Sequence, residues 1–224
     1  MSASESSAKP LRVPLFPLPN VVLLPRAVLP LHIFEERYKA MTADVLAGDQ
    51  RIAMALLRPG WERNYYQQPA IEPVVCVGKV LSCEQLEDGK YNFLLQGTLR
   101  ARVVAEHAGK PYRVADLQPL AQTHAMEIDL EYERGRLETI FSSTNLAKLP
   151  LARQFKELLG GPIPTSDIAD VAAFNLLEDI PLKQSFLAET DVRRRVSRIA
   201  DALESIAVHI SPGLQGCPES PSEN

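Results

Sequence analysis

Apolar and polar positions change their rhythm once along this chain. Up to about residue 118, short β-branched and apolar runs of strand length are separated by turn residues; beyond residue 127, apolar positions recur every three or four residues, the rhythm of amphipathic helices. The strand-like runs cover residues 12–16, 27–31, 51–57, 74–86, 90–98, 99–106 and 112–117, enough to predict a folded-over sheet or small barrel. Between two of them stands Glu87-Asp88-Gly89, where Asp-Gly supplies the positive backbone angles of a tight hairpin. One helix interrupts the strands, because Phe34, Tyr38, Met41 and Val45 follow helical spacing and Gly48 is placed to stop it.

In the second half the pattern predicts one long helix over 126–148 despite Gly135, and a shorter one over 151–159 closed by Gly160-Gly161-Pro162. Thr165, Ser166 or Asp167 can cap a helix over 168–177 by accepting from its free amides. Pro181 marks a break before a short helix at 182–188. Val192, Val196, Ile199, Leu203, Ile206 and Ile210 then form the apolar stripe of a last helix starting near Thr190. The expected organisation is therefore a flexible leader at 1–10, a β-rich lobe at 11–118, a linker at 119–125, a helical bundle lobe at 126–210 and a flexible Pro/Gly-rich tail at 211–224. A single change of texture further predicts limited packing between the lobes.

Composition narrows the function classes. At 224 residues, 46% hydrophobic and 23% charged, the chain reads as an ordinary soluble domain pair. Its net charge of −4 gives no global attraction for phosphate backbones, so nucleic acid is not an expected partner. The apolar stretch 13–33 is broken by five prolines together with Asn20, Arg26 and His32 and cannot be a spanning helix. The polar start lacks the basic end and apolar middle of a secretory signal, so a cytoplasmic location without a membrane is expected. Three cysteines, Cys76, Cys83 and Cys217, an odd number without CxxC spacing, read as reduced thiols.

Catalytic chemistry finds little foothold. No segment matches G-x-x-x-x-G-K-[ST], G-x-S-x-G or H-E-x-x-H, so neither an ATPase nor a peptidase is expected. His32, His107, His124 and His209 lie far apart without a cysteine or second histidine at ligand spacing, and no metal or cofactor is expected. His32 could face a pocket beside Glu35 or Glu36, although satisfaction of local groups is the blander reading. The acidic pairs Glu35-Glu36 and Glu87-Asp88 read as solvated faces, as does the run Arg193-Arg194-Arg195 with Arg198 on the polar side of the last helix.

The segment VPLFPLPNVVLLPRAVLPLHIFEERY at 13–38 resembles the opening of the Lon protease N-terminal domain family, whose P-L-F-P-L, apolar run, proline and L-P-L it reproduces. The resemblance continues in Val77-Gly78, in Asp88-Gly89, in LLQGTLR at 94–100, which is similar to the family's strand-turn-strand "V-x-G-x-x-R", and in LLEDIPLKQSFLAE at 176–189. It implies an α+β fold, an N-terminal β-rich PUA-like pseudo-barrel lobe followed by a C-terminal α-helical bundle, covering about residues 11–210. Full Lon proteases continue into an ATPase module and a serine–lysine protease domain, which this sequence lacks. The resemblance thus implies a stand-alone, non-catalytic substrate-recognition module, an adaptor or chaperone-like binder of unfolded or apolar polypeptide segments, with a separate protease or chaperone as a further partner. Within loop 58–73, Trp61, Tyr65 and Tyr66 are the peptide-binding candidates, since loop aromatics favour interfaces. Folding of Trp61 back onto the sheet is the reading of equal weight. Two alternatives remain: an RNA-binding PUA-like protein, and a small-molecule enzyme with a site between the lobes.

Overall fold

The computed structural model describes residues 10–65 and 67–209; the leader at 1–9, Tyr66 and the tail from residue 210, with Ile210 and Cys217, lie outside the described residues. Among the described residues there are six strands: β1 (Leu11–Leu18), β2 (Val28–Ile33), β3 (Arg51–Leu56), β4 (Val74–Gln85), β5 (Tyr91–His107) and β6 (Arg113–Pro119). Their order is β2-β5-β4-β3-β1-β6, and a further β5–β6 pairing closes β1, β3, β4, β5 and β6 into a ring. β1 runs parallel to β3, and all other pairs are antiparallel. β2 stands outside the ring on the first half of β5, with Val28 opposite Gln96 and Ile33 opposite Tyr91.

Alternation explains the ring. Val13 and Leu15, Ala53 and Ala55, Val75 and Val77, and Ala115 and Leu117 point to one face at period two and, with Ala101, make a fully buried inner core. Alanine is frequent there because a ring of five strands encloses little volume. The opposite faces of β3 and β4 are buried as well, through Ile52, Met54, Leu56, Val74, Cys76 and Val80, which is why those strands read as continuous apolar runs. The helix α1 (Glu36–Ala47) covers part of that face with Tyr38, Met41 and Val45, the Tyr38 ring lying 4.4 Å from Phe16. Phe34 is not on its stripe: Glu35 is the extended N-cap residue, so Phe34 precedes the helix and is exposed.

The turn at Glu87-Asp88-Gly89 forms as expected, with Gly89 at φ 77° and Gly89 N–H donating to Leu86 O. The runs at 90–98 and 99–106 are instead one strand. Between them Thr98 is bulged, since Val77 pairs with Leu99 and Gly78 with Gly97, and its hydroxyl donates to Val77 O at 2.7 Å. Gly97 is needed there because the chain at Leu24–Ala27 crosses directly over it: a Cβ would fall 2.2 Å from Leu24 O.

The helical part comprises α2 (Glu131–Ser143), α3 (Pro150–Leu159), α4 (Thr165–Leu176), α5 (Ile180–Ala188) and α6 (Val192–His209), with 3₁₀ turns at Glu127–Leu130 and Asn145–Lys148. The long helix expected over 126–148 is therefore divided. Thr144 is extended, and its hydroxyl donates to Ile140 O and accepts from Leu146 N, replacing helical bonds. α4 begins at Thr165 behind Pro164 with no side-chain cap of its own; the Glu127 carboxylate accepts from Thr165 N instead. Pro181 lies in the first turn of α5, where its missing N–H is no loss, and Asp179 caps that helix by accepting from Leu182 N at 2.8 Å.

In α6, Val192, Val196, Ile199, Leu203 and Ala207 are buried, and small residues Ala169, Ala172 and Ala173 of α4 belong to the same packed cluster. That cluster also holds Phe16, Leu24, Met54, Cys76 and Leu95, so the apolar interior continues from the outer face of the ring into the helices. The two parts thus meet over a narrow packed face, at which Gln184 of α5 reaches β4 through Val74 O.

Candidate functional site

The loop from residue 58 to 73 connects β3 to β4 and carries the aromatic candidates. Gly60 at φ 89° turns the chain into the 3₁₀ turn Trp61–Asn64. Trp61 is half-buried and meets the Tyr65 ring edge-on at 5.5 Å. Tyr65, also half-buried, donates its hydroxyl to Glu35 Oε1 at 3.1 Å, and the Arg37 guanidinium lies 5.1 Å from its ring and 4.5 Å from that of Tyr38. Arg37 Nε in turn donates to Glu35 Oε2 at 3.0 Å. Burial first, and then the Glu35 carboxylate, push the Tyr65 hydroxyl above its ordinary pKa, so it stays a donor. The loop is therefore pinned to the start of α1 while both residues stay half-buried. Glu35 is not the solvated residue that adjacency to Glu36 suggested; Glu36 pairs separately with Lys39.

The open wing of the sheet offers a second apolar surface. Val28 (38% exposed), Leu94 (40%), Leu81 (53%) and Phe34 (60%) are all large side chains in water. Pro30, Leu94 and Ser82 are in register on one face and line a shallow cavity of about 410 Å³. The outer edge of β2 has no strand partner among the described residues. Pro30 removes one donor from that edge, a common way to discourage indiscriminate strand addition. His32 Nδ1 lies 2.7 Å from Asn92 Oδ1 across the strands, and its ring stacks with Phe34 at 6.2 Å, so it serves local satisfaction.

Where the strands meet the helices there are two clefts. One, of about 570 Å³, is apolar and lined by Leu56, Leu57, Pro73, Val74, Ile180 and Pro181; beside it Gln184 Nε2 donates to Val74 O at 2.9 Å. The other, of about 420 Å³, is polar and includes Arg100, Asp170 and Arg195. Arg195 is 1% exposed, which corrects its assignment to a solvated helix face. Its neighbours are surface residues already paired: Arg194 with Glu189 at 3.0 Å, Arg193 with Glu133 at 3.8 Å and Arg198 with Glu189 at 3.9 Å.

Sequence reasoning passed over this buried set, although signals were available. Arg195 sits three residues after Val192 and one before Val196, on the buried stripe itself. Asp170 interrupts the apolar run Ile168-Ala169-Asp170-Val171-Ala172-Ala173, and a charge in such a run needs a partner. No cluster of three or more His, Cys, Asp or Glu at metal-holding distance occurs among the described residues. Cys76 is fully buried, which pushes its thiol up to about 12. No described helix is long and apolar enough to cross a membrane.

Comparison with known proteins gives a consistent result. The family model for the ATP-dependent protease La (LON) substrate-binding domain matches residues 12–205. The chain is 21% identical over 198 residues to the Lon protease of Desulfosudis oleivorans, covering 87% of this chain and 24% of that protein. It is 27% identical over 199 residues to Lon protease 2 of Herpetosiphon aurantiacus, covering 88% and 24%. The chain thus spans about a quarter of the length of these relatives. Among solved structures, the N-terminal domain of Mycobacterium avium complex Lon protease superimposes with a TM-score of 0.68 at 14% identity, covering 87% of this chain and 98% of that one. The Lon N-terminal domain protein from Xanthomonas campestris superimposes with a TM-score of 0.60 at 22% identity, covering 85% and 98%.

Proposed function

Because the chain belongs to the family of LON substrate-binding domains, we propose that it is a non-catalytic recognition module that captures unfolded or apolar polypeptide segments through its β-rich lobe. The match across residues 12–205 carries this reading. The aromatic loop gives it a physical means. Tyr65 is held by Glu35 and Arg37 and Trp61 packs on its ring, so little side-chain entropy is lost when a segment docks on them. Such a site is weak alone, about 1–3 kcal/mol per well-desolvated ring. An adaptor or chaperone-like role, in which a separate protease or chaperone adds affinity, follows from that weakness.

RNA binding finds less support. The basic run of α6 is either buried or paired with Glu133 and Glu189, leaving no open stripe of free arginines there. The test is a titration of a permanently unfolded, carboxymethylated protein against the wild type and against a variant carrying Trp61→Ala, Tyr65→Ala and Tyr66→Ala, with circular dichroism showing that both are folded. Saturable binding by the wild type, weakened in the variant, supports the reading. Equal affinity would remove the loop from it, and failure of the wild type to bind would remove polypeptide capture altogether.

A further inference from the structure

The polar cleft between the lobes lies apart from the loop just described. Arg100 of β5 and Arg195 of α6 are 3% and 1% exposed, and between them stands Asp170 of α4, also buried. Arg100 Nη2 donates to both oxygens of Asp170 at 2.7 and 2.8 Å, while Arg195 Nε lies 3.3 Å from Asp170 Oδ1. Arg195 Nη1 donates to Glu189 O at 2.9 Å. Two guanidiniums therefore share one carboxylate, a net charge of +1 out of water. The other ion pair on the cleft, Arg26 with Asp167 at 2.9 Å, cancels itself.

Donors are also left over. Arg100 Nε is buried without a hydrogen-bond partner, Arg195 Nε has only its 3.3 Å approach to Asp170, and no described residue accepts from Arg100 Nη1 or Arg195 Nη2. Ser166, the second residue of α4, lines the same cleft and adds a hydroxyl to it. Burying an unbalanced charge with unused N–H groups is costly unless an acceptor arrives from outside.

We infer that this cleft binds a compact oxyanion, a phosphate or a carboxylate group, on Arg100 and Arg195. The planar guanidinium fork matches either group. Asp170 then has two roles with opposite consequences: it orients Arg100, and it competes with the ligand for both arginines. Removing its charge strengthens anion binding, whereas removing Arg195 weakens it.

The test follows the arginine Nε–H signals of the whole ¹⁵N-labelled chain by NMR during titration with inorganic phosphate and, separately, acetate, with ionic strength held constant by sodium chloride. Saturable shifts at Arg100 and Arg195 are expected with at least one of the two. Arg195→Met should weaken that binding about tenfold, and Asp170→Asn should tighten it. A purely structural role of the network cannot move the two variants in opposite directions. Should Arg195→Met fail to fold, Arg100→Lys, which keeps the charge and loses the fork, should also weaken binding. A peptide with a free C-terminal carboxylate that displaces phosphate, where its amidated form does not, would identify a carboxylate as the bound group; displacement by neither would identify a phosphate. Absence of saturable shifts with both anions, or unchanged affinity in Arg195→Met or Arg100→Lys, would overturn the inference.

Discussion

Replacing Gly97 by alanine should destabilise the protein severely, and the reason lies in the backbone. The added Cβ would stand 2.2 Å from Leu24 O, 2.9 Å from Leu24 C and 3.1 Å from Cys76 Sγ. A carbon and a carbonyl oxygen in contact are ordinarily about 3.3 Å apart, so the crossing chain must retreat by about 1 Å. It is held by Arg26 N–H donating to Gly97 O at 2.8 Å and Gly97 N–H donating to Ala27 O at 2.9 Å. Retreat would strain or break both bonds, at about 1 kcal/mol each, on top of about 1–3 kcal/mol for overpacking. A loss of about 3–5 kcal/mol is expected, a large share of the roughly 5–15 kcal/mol typical of a domain. Gly135→Ala is the natural control. This glycine is inside α2 with nothing near its missing Cβ, and the substitution should raise stability by about 1 kcal/mol. Urea unfolding followed by circular dichroism reads both. A Gly97→Ala variant within about 1 kcal/mol of wild type would refute the reasoning.

Two other expectations concern titratable groups. Hydrogen bonds from Arg12 and His107 hold the Asp116 carboxyl down to about 2, against an ordinary 3.8, so its contribution is present above that ordinary value and is lost as pH falls toward 2; Asp116→Asn should flatten this part of the acid-unfolding curve, and an unaltered curve would count against the pairing. Cys76, pushed up to about 12 by full burial, should resist iodoacetamide at pH 8 in the folded chain and react after denaturation, as peptide mass mapping would show; rapid native labelling would contradict its burial.

Strand positions were legible where one rule dominated. Val13, Leu15 and Val75, Val77 alternate at period two, and Asp88-Gly89 forces a turn, so ring strands and hairpin follow from local chemistry. The one strand spanning 91–107 was not legible as such, because Gly97 and Thr98 carry the residues of a turn while serving a close crossing and a bulge, both set by distant chain. The division of the helix expected over 126–148 is not legible for a similar reason: Thr144 exchanges helical bonds for side-chain ones, which periodicity cannot register. The break that Pro181 signals falls just before it, since a proline is at home in the first turn of a helix and α5 starts at Ile180.

For the site, composition located the aromatic loop but could not say what holds it; the Glu35 and Arg37 contacts join residues about thirty positions apart. Arg195 is hidden in a charge run, since Arg193 and Arg194 face outward while it turns in.

Trp61 is the sole tryptophan of the chain, so its emission reports on the loop without a label. Titrating a tryptophan-free unfolded polypeptide into the protein while recording this fluorescence tests the central claim most directly. A saturable blue shift, with the same midpoint as the change in anisotropy of a labelled polypeptide, is the expected result. Emission that stays constant while anisotropy shows the polypeptide bound would place recognition elsewhere on the molecule.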